Sequence, residues 1–228
     1  MNEKTSVLRC RELAAFDSGE LAAVQSAFRD AAECPLRQHW LGGAEPDFRP
    51  AIVRAGWRAE ALLVFAELAD DDPFNAATAL NQKTWELGDV LEVFLQPAGQ
   101  DADVEFHITP ENQRLQLRFP DTATLRRAQE SGDFSACLLW GDAMRSRIWV
   151  QREQRRWCAF AEIPSAVVCG RSAPLAGQKW RFSFSRCDAT RGRPQPVVSS
   201  TSPHTERDLH RRVEWRTLVF GSAAGETA

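Results

Sequence analysis

The sequence predicts an all-β chain, an antiparallel β-sandwich with a short N-terminal helix. Three observations carry this reading. First, residues 85–119 hold three successive runs in which apolar and polar residues alternate. Leu91, Val93 and Leu95 alternate with Val90, Glu92 and Phe94. Val104, Phe106 and Ile108 alternate with Glu105 and His107, and Leu115, Leu117 and Phe119 alternate with Arg114, Gln116 and Arg118. Successive strand side chains point to opposite faces, so each run offers one face to a core. Second, short strand-like runs recur along the rest of the chain without βαβ alternation. Third, no internal repeat or long linker divides the 228 residues, which read as a single domain, 1–228, with its sandwich core over about 50–220.

The elements follow in order. Asp17, Ser18, Gly19 and Glu20 offer cap residues, and Leu21, Val24, Phe28 and Ala31 recur at helical spacing. This predicts a helix over about 18–32, ended near Pro35. A Gly/Pro loop leads to a hairpin of two strands, 51–58 and 61–68. The run ALLVFAEL reads as a strand buried on both faces. After Asp70, Asp71 and Asp72 come the three alternating strands, with Thr109-Pro110-Glu111-Asn112 as a turn. A short helix is expected near 124–129 and strands over 146–151 and 156–163. Ile163-Pro164 runs into a helical turn. Trp180, Phe182 and Phe184 alternate with Arg181, Ser183 and Ser185. A Pro/Ser/Thr-rich loop spans 193–205, the last strand covers 216–220, and 221–228 reads as a disordered tail.

Composition excludes several function classes. The hydrophobic fraction is 43%, with 8 Trp and 13 Phe, enough for a substantial core. The net charge is −3 and no Lys/Arg block appears, so neither nucleic acid nor a membrane surface is the expected partner. Arginine dominates the basic residues and tyrosine is absent, which we read as the compositional habit of a GC-rich genome. No signal peptide is visible in MNEKTSVLRC, which implies a cytoplasmic chain, or an extracellular or periplasmic one if a leader has been trimmed. The six cysteines are scattered without CxxC spacing, and read as free thiols. The oligomeric state is left open.

If the three runs are neighbours in one antiparallel sheet, their second face gathers Glu92, Glu105, His107, Arg114, Gln116 and Arg118. That is a dense, water-accessible wall of hydrogen-bonding groups. Trp85 precedes it and supplies an aromatic platform. Rings of this kind lie against the C–H face of a sugar while charged groups take its hydroxyls. The competing reading is a structural cross-strand ion network.

The order of several segments resembles the family-nine carbohydrate-binding modules and the wider DOMON-like β-sandwich group, which are jelly-roll-like. WELGDVLEVFL, from Trp85, resembles the family's tryptophan followed by an acidic residue and a Glu-bearing strand. FHITPENQRLQL resembles the next hairpin, WCAFAEIP the strand into an Ile-Pro turn, and WRFSFSR a late strand. SSTSPHTERDLHRRVEWRTLVF resembles the closing segment. The resemblance implies non-catalytic binding of a small saccharide or glycan end between two aromatic rings. Trp85 falls near the first ring and Glu92 on the hydrogen-bonding glutamate. His107 stands where an arginine is expected, and Leu209 stands where the second ring should be. Trp215 reads as a core residue of the final strand. The ligand-binding set is thus Trp85, Glu92, Glu105, His107, Gln116 and Arg118.

Three alternatives accompany it. Glu92 and Glu105 are a carboxyl pair of the kind glycosidases use. Relatives in the DOMON-like group bind haem through His or Met, for which His107 and Met144 are the candidates. A partner-binding or structural module is the third. No cofactor is expected beyond a structural calcium, which relatives carry and which Asp70, Asp71 and Asp72 could ligate, although they lack EF-hand spacing.

Overall fold

The computed structural model describes residues 7–221, so the tail expected beyond Gly221 lies outside the described residues. Twelve strands make one continuous sheet, in the order β7-β6-β5-β10-β12-β1-β3-β4-β9-β8, with β11 paired to β10 and β2 to β3. Their ranges are β1 Val7–Glu12, β2 Glu33–Pro35, β3 Ala51–Arg58, β4 Ala61–Ala69, β5 Val90–Pro97, β6 Asp103–Ile108, β7 Arg114–Phe119, β8 Arg145–Gln151, β9 Arg156–Pro164, β10 Lys179–Asp188, β11 Val197–Ser200 and β12 Arg216–Phe220. Among the described residues three short α-helices accompany them: α1 Leu21–Ala27, α2 Thr122–Ser131 and α3 Ser165–Cys169. The expected all-β class holds. No helix among the described residues is long and apolar enough to cross a membrane.

The sheet is mixed rather than wholly antiparallel. Val7–Cys10 pair in parallel with Thr217–Phe220, and Arg11 and Glu12 then pair in parallel with Gly56 and Trp57. β1 therefore joins the two halves of the sheet. It was not expected from the sequence, because six residues with only Leu8 and Cys10 facing the core give a weak alternation. The halves curl around a common interior. Val53, Val64 and Trp157 from one half pack in the same cluster as Val93, Phe106 and Phe184 from the other. Each such fully buried side chain contributes about 1.5–3 kcal/mol relative to exposure.

The run ALLVFAEL is buried on both faces, as expected, because α1 covers its outer side. Leu63 and Phe65 pack there against Val24, Phe28 and Phe160. α1 is shorter than the predicted 18–32. The chain turns extended so that Glu33–Pro35 can pair with Arg54–Ile52, and this pairing displaces the last helical turns. The helix expected near 124–129 forms as α2. The Asp121 side chain accepts from the Thr124 N–H at its start, and Gly132, with φ +68°, closes its end. The loop expected over 193–205 contains β11, which zips to β10 through Ser185–Asp188.

Candidate functional site

Strands β5, β6 and β10 lie side by side. Glu92 stands opposite His107 on one flank and Ser185 on the other, while Phe94 opposes Glu105 and Ser183. Directly opposed residues of antiparallel strands share a face. Glu92, Glu105 and His107 therefore do stand together on the outer face, with Cys187 of β10 beside them. Val93, Phe106 and Phe184 point the other way, into the main core.

Strand β7 departs from the expected arrangement. Leu115 and Leu117 stand opposite His107 and Glu105, so Gln116 and Arg118 stand opposite Phe106 and Val104. A register offset of one residue moves every side chain of a strand to the other face. Arg114, Gln116 and Arg118 consequently leave the wall. Gln116 Nε2 donates to the Gly141 carbonyl at 2.9 Å, and its Oε1 accepts from the Met144 N–H at 3.3 Å. Arg118 Nη1 donates to the Val167 carbonyl at 2.8 Å, and Arg114 Nη1 to the Met144 carbonyl at 2.7 Å. These three hold loops. The leucines of β7 instead build a small outer core with Leu125, Ala128 and Phe134.

The wall is also less open than expected. Glu92 and Glu105 are 4% exposed and His107 is 1% exposed. Two segments overhang it. The first is a tight turn, Thr84–Glu86, which carries Trp85. Asn75 fixes that turn, its Nδ2 donating to the carbonyls of Thr84 at 2.9 Å and Asp89 at 3.1 Å. Gly88 allows the close approach, with φ +145°; a Cβ there would lie 2.3 Å from the Phe74 carbonyl oxygen. The second segment carries Leu209 and His210. Trp215 Nε1–H donates to the Leu209 carbonyl at 2.8 Å, and the Trp215 ring packs on Phe94. Trp215 is thus buried on the outer face, where it anchors this segment, rather than in the main core.

A chain of charged hydrogen bonds results. With both imidazoles protonated, His107 Nε2–H donates to Glu105 Oε1 at 2.6 Å, His107 Nδ1–H to Thr84 Oγ1 at 2.9 Å, and His210 Nε2–H to Glu105 Oε2 at 3.0 Å. Burial alone would raise Glu105, but the charge of His210 and the two imidazole hydrogen bonds hold it well below the usual carboxylate range. Burial would likewise lower the histidines, yet the carboxylates win. Glu92 and Glu105 raise His107, and Glu105 with Glu92 brings His210 up to about 9. Glu92 is different. Burial pushes its carboxyl up. Its Oε1 accepts from the Cys187 thiol at 3.4 Å, while its Oε2 is buried and has no partner.

These groups line a hollow of roughly 410 Å³, with Trp85, Leu209 and Arg207 at its sides. Trp85 is half-buried and meets His107 and Phe134 in edge-to-face contacts with centroids 5.6 and 5.5 Å apart. Leu209, at the place of the expected second ring, packs on Val90, Cys187 and Val198. Thr84, Cys187 and His210 were missed from sequence. Thr84 adjoins Trp85, and Cys187 continues the polar phase of Ser183 and Ser185, so both were within reach. His210 sits in an irregular segment that carries no periodic signal.

The alternatives meet specific geometry. His107 has both ring nitrogens engaged, and Met144 lies on the opposite face of the sheet, so the two do not form a haem-ligating pair. The acidic run is split. Asp71 pairs with Arg49 and Arg155, and Asp72 with Arg191, all at the surface. Asp70 is buried and joins Asp89 and Asp188 in a group whose donor oxygens lie within 4.8 Å of one another. These three are the residues that could hold a cation, but the buried Arg186 guanidinium already donates to Asp70 at 2.8 Å and pairs with Asp188 at 3.1 Å. Burial, then the charge of Asp70, brings Asp89 up to about 8.

No protein-family profile and no curated protein matches the chain. Solved structures do. A protein from Bacteroides uniformis described as a "putative carbohydrate-binding protein" superimposes with a TM-score of 0.74 at 17% identity, over 94% of this chain and 99% of that one. A family-nine carbohydrate-binding module from Caldicellulosiruptor kristjanssonii in complex with cellotriose gives 0.62 at 13% identity, over 97% of each chain. The module from the same organism in complex with glucose gives 0.61 at 12%, over 97% and 98%. The fold is that of the family-nine carbohydrate-binding modules, as the resemblance implied.

Proposed function

We propose that the hollow binds a saccharide without transforming it, on a DOMON-like sandwich. The observation that carries this reading is the orphaned Glu92 Oε2. A buried carboxylate oxygen without a donor costs about 1–3 kcal/mol or more, and a sugar hydroxyl entering the hollow relieves that cost. Trp85 stands beside it as the stacking surface. His107 and Glu105 act by holding Glu92's surroundings in place, with His107 Nε2 3.8 Å from Glu92 Oε1. Leu209 offers aliphatic contact where a second ring would clamp, so the ligand is held less tightly than between two rings.

The non-catalytic character follows from Glu105. Both its oxygens accept from imidazoles, which ties it to the histidines as their counter-charge rather than to a nucleophilic water or an anomeric carbon. The fold similarity to sugar-binding modules points the same way. The test is calorimetry against a panel of mono- and oligosaccharides. Wild type is expected to bind at least one, Trp85→Ala to weaken it at least about tenfold, and Glu92→Gln to weaken it with no change in reducing-sugar release, which stays at zero throughout. Absence of binding to every saccharide, or equal binding by Trp85→Ala, rejects the reading.

A further inference from the structure

The hollow does not end at Trp85. A second hollow of roughly 690 Å³ lies alongside and shares Trp85, Glu86, Cys187 and Arg207 with the first. Each is in the size range of small-ligand sites, so together they form one cleft with more room than a single sugar ring needs. Three arginines line the outer hollow, and two are neutralised. Arg191 Nε donates to Asp72 Oδ2 at 2.7 Å and its guanidinium lies 4.0 Å from the Phe74 ring centre. Arg193 pairs with Asp47. Arg207 makes no ion pair among the described residues. Its Nη2 donates to the Pro196 carbonyl at 2.6 Å, which holds one corner of the fork and leaves the other donors free.

Most carboxylates nearby are engaged, although Glu92 in the inner hollow keeps an Oε2 without a partner. Glu86 pairs with Lys83 at 3.6 Å, Glu105 accepts from two histidines, and Asp208 accepts the His210 amide at 2.9 Å. Arg207 is the cation left over, at the rim where the two hollows meet. We propose that the cleft takes an acidic oligosaccharide of two or more residues. One ring lies in the inner hollow against Trp85, and an oxyanion on the adjoining residue, a carboxylate or a sulfate, lies on Arg207 in the outer hollow. This rests on the saccharide reading above. A planar guanidinium held at one corner suits a two-oxygen acceptor.

The experiment is a glycan array spotted with gluco-, galacto- and manno-configured disaccharides, each as the neutral sugar, the uronate and the sulfate ester. It is probed with wild type, Arg207→Ala, Arg207→Lys and Trp85→Ala. We expect at least one acidic member to bind about tenfold or more tighter than its neutral counterpart. Arg207→Ala collapses that ratio toward one, Arg207→Lys retains part of it, and 0.5 M salt shrinks it. The uronate and sulfate arms identify which oxyanion is preferred. A neutral member bound as well as its acidic counterparts, with Trp85→Ala lowering both, overturns the acidic ligand while leaving the saccharide reading intact. No binding to any spot removes both.

Discussion

Glu105→Gln is the sharpest probe of the buried charge chain. Wild-type Glu105 accepts from His107 at 2.6 Å and from His210 at 3.0 Å. The substitution leaves one imidazole without an acceptor and removes the charge that favours both imidazolium forms. For His210, burial opposes the charge, yet Glu105 and Glu92 bring it from the ordinary 6.5 to about 9. At 1.36 kcal/mol per pH unit this corresponds to about 3 kcal/mol. The pH window follows from the direction of each shift. His210 is raised, so its contribution is complete below about pH 6.5 and is lost as pH rises through about 9. Glu105 is depressed, so its contribution is present above the ordinary carboxylate value of 4.5 and is lost in stronger acid. Both are complete between about pH 4.5 and 6.5. Other buried groups also titrate, among them Asp89 at about 8 and Asp103 at about 7, so the informative quantity is wild type minus variant. Calorimetric melting at pH 6 should place the variant about 6–12 °C below wild type, at 2–4 °C per kcal/mol, with the gap mostly closed by pH 9.5. An equal gap at both pH values, or none at pH 6, would show that Glu105 does not neutralise the histidines.

Two further substitutions follow from the geometry. Gly88→Ala drives a Cβ to 2.3 Å from the Phe74 carbonyl at a left-handed φ. It should cost about 1–3 kcal/mol and displace the Trp85 turn, seen as a lower melting temperature and a shifted Trp fluorescence maximum; an unchanged spectrum would mean the turn is held elsewhere. Arg186→Met removes from the buried Asp70 and Asp188 the ion pair each makes among the described residues, and should destabilise by about 3–5 kcal/mol at pH 7. Acidification toward pH 5 should narrow that loss, because burial has already brought Asp188 up to about 6 and the protonated carboxyl needs no counter-charge.

The strands with clear alternation were legible in the sequence because one face of each is buried. Val104, Phe106 and Ile108 are fully inside, as their spacing implied. Alternation also set the relative faces of β5 and β6, and so brought Glu92, Glu105 and His107 together. It could not do the same for β7. Leu115, Leu117 and Phe119 find an outer core under α2, while Gln116 and Arg118 satisfy loop carbonyls on the inner side. Both faces of β7 are sheltered, so its pattern holds no vote on which side is which. The cover over the wall was illegible for a different reason. Leu209 and His210 are placed by the hydrogen bond from Trp215 Nε1 to the Leu209 carbonyl, by the packing of Trp215 and His210 on Phe94, and by the bond from His210 to Glu105, contacts that leave no local periodicity. β1 was missed because its partners, β12 and β3, are found only after the chain has folded.

Those partners give β1 a particular place in time as well as in space. Val7–Cys10 lie beside Thr217–Phe220, which a ribosome makes some two hundred residues later. Until then the emerging polypeptide holds an open seam along Leu8 and Cys10, and the two halves of the interior stay ajar. Pairings between such distant segments form slowly, so closure of the seam should come late in folding, and a chain halted before Arg216 should still be open to protease.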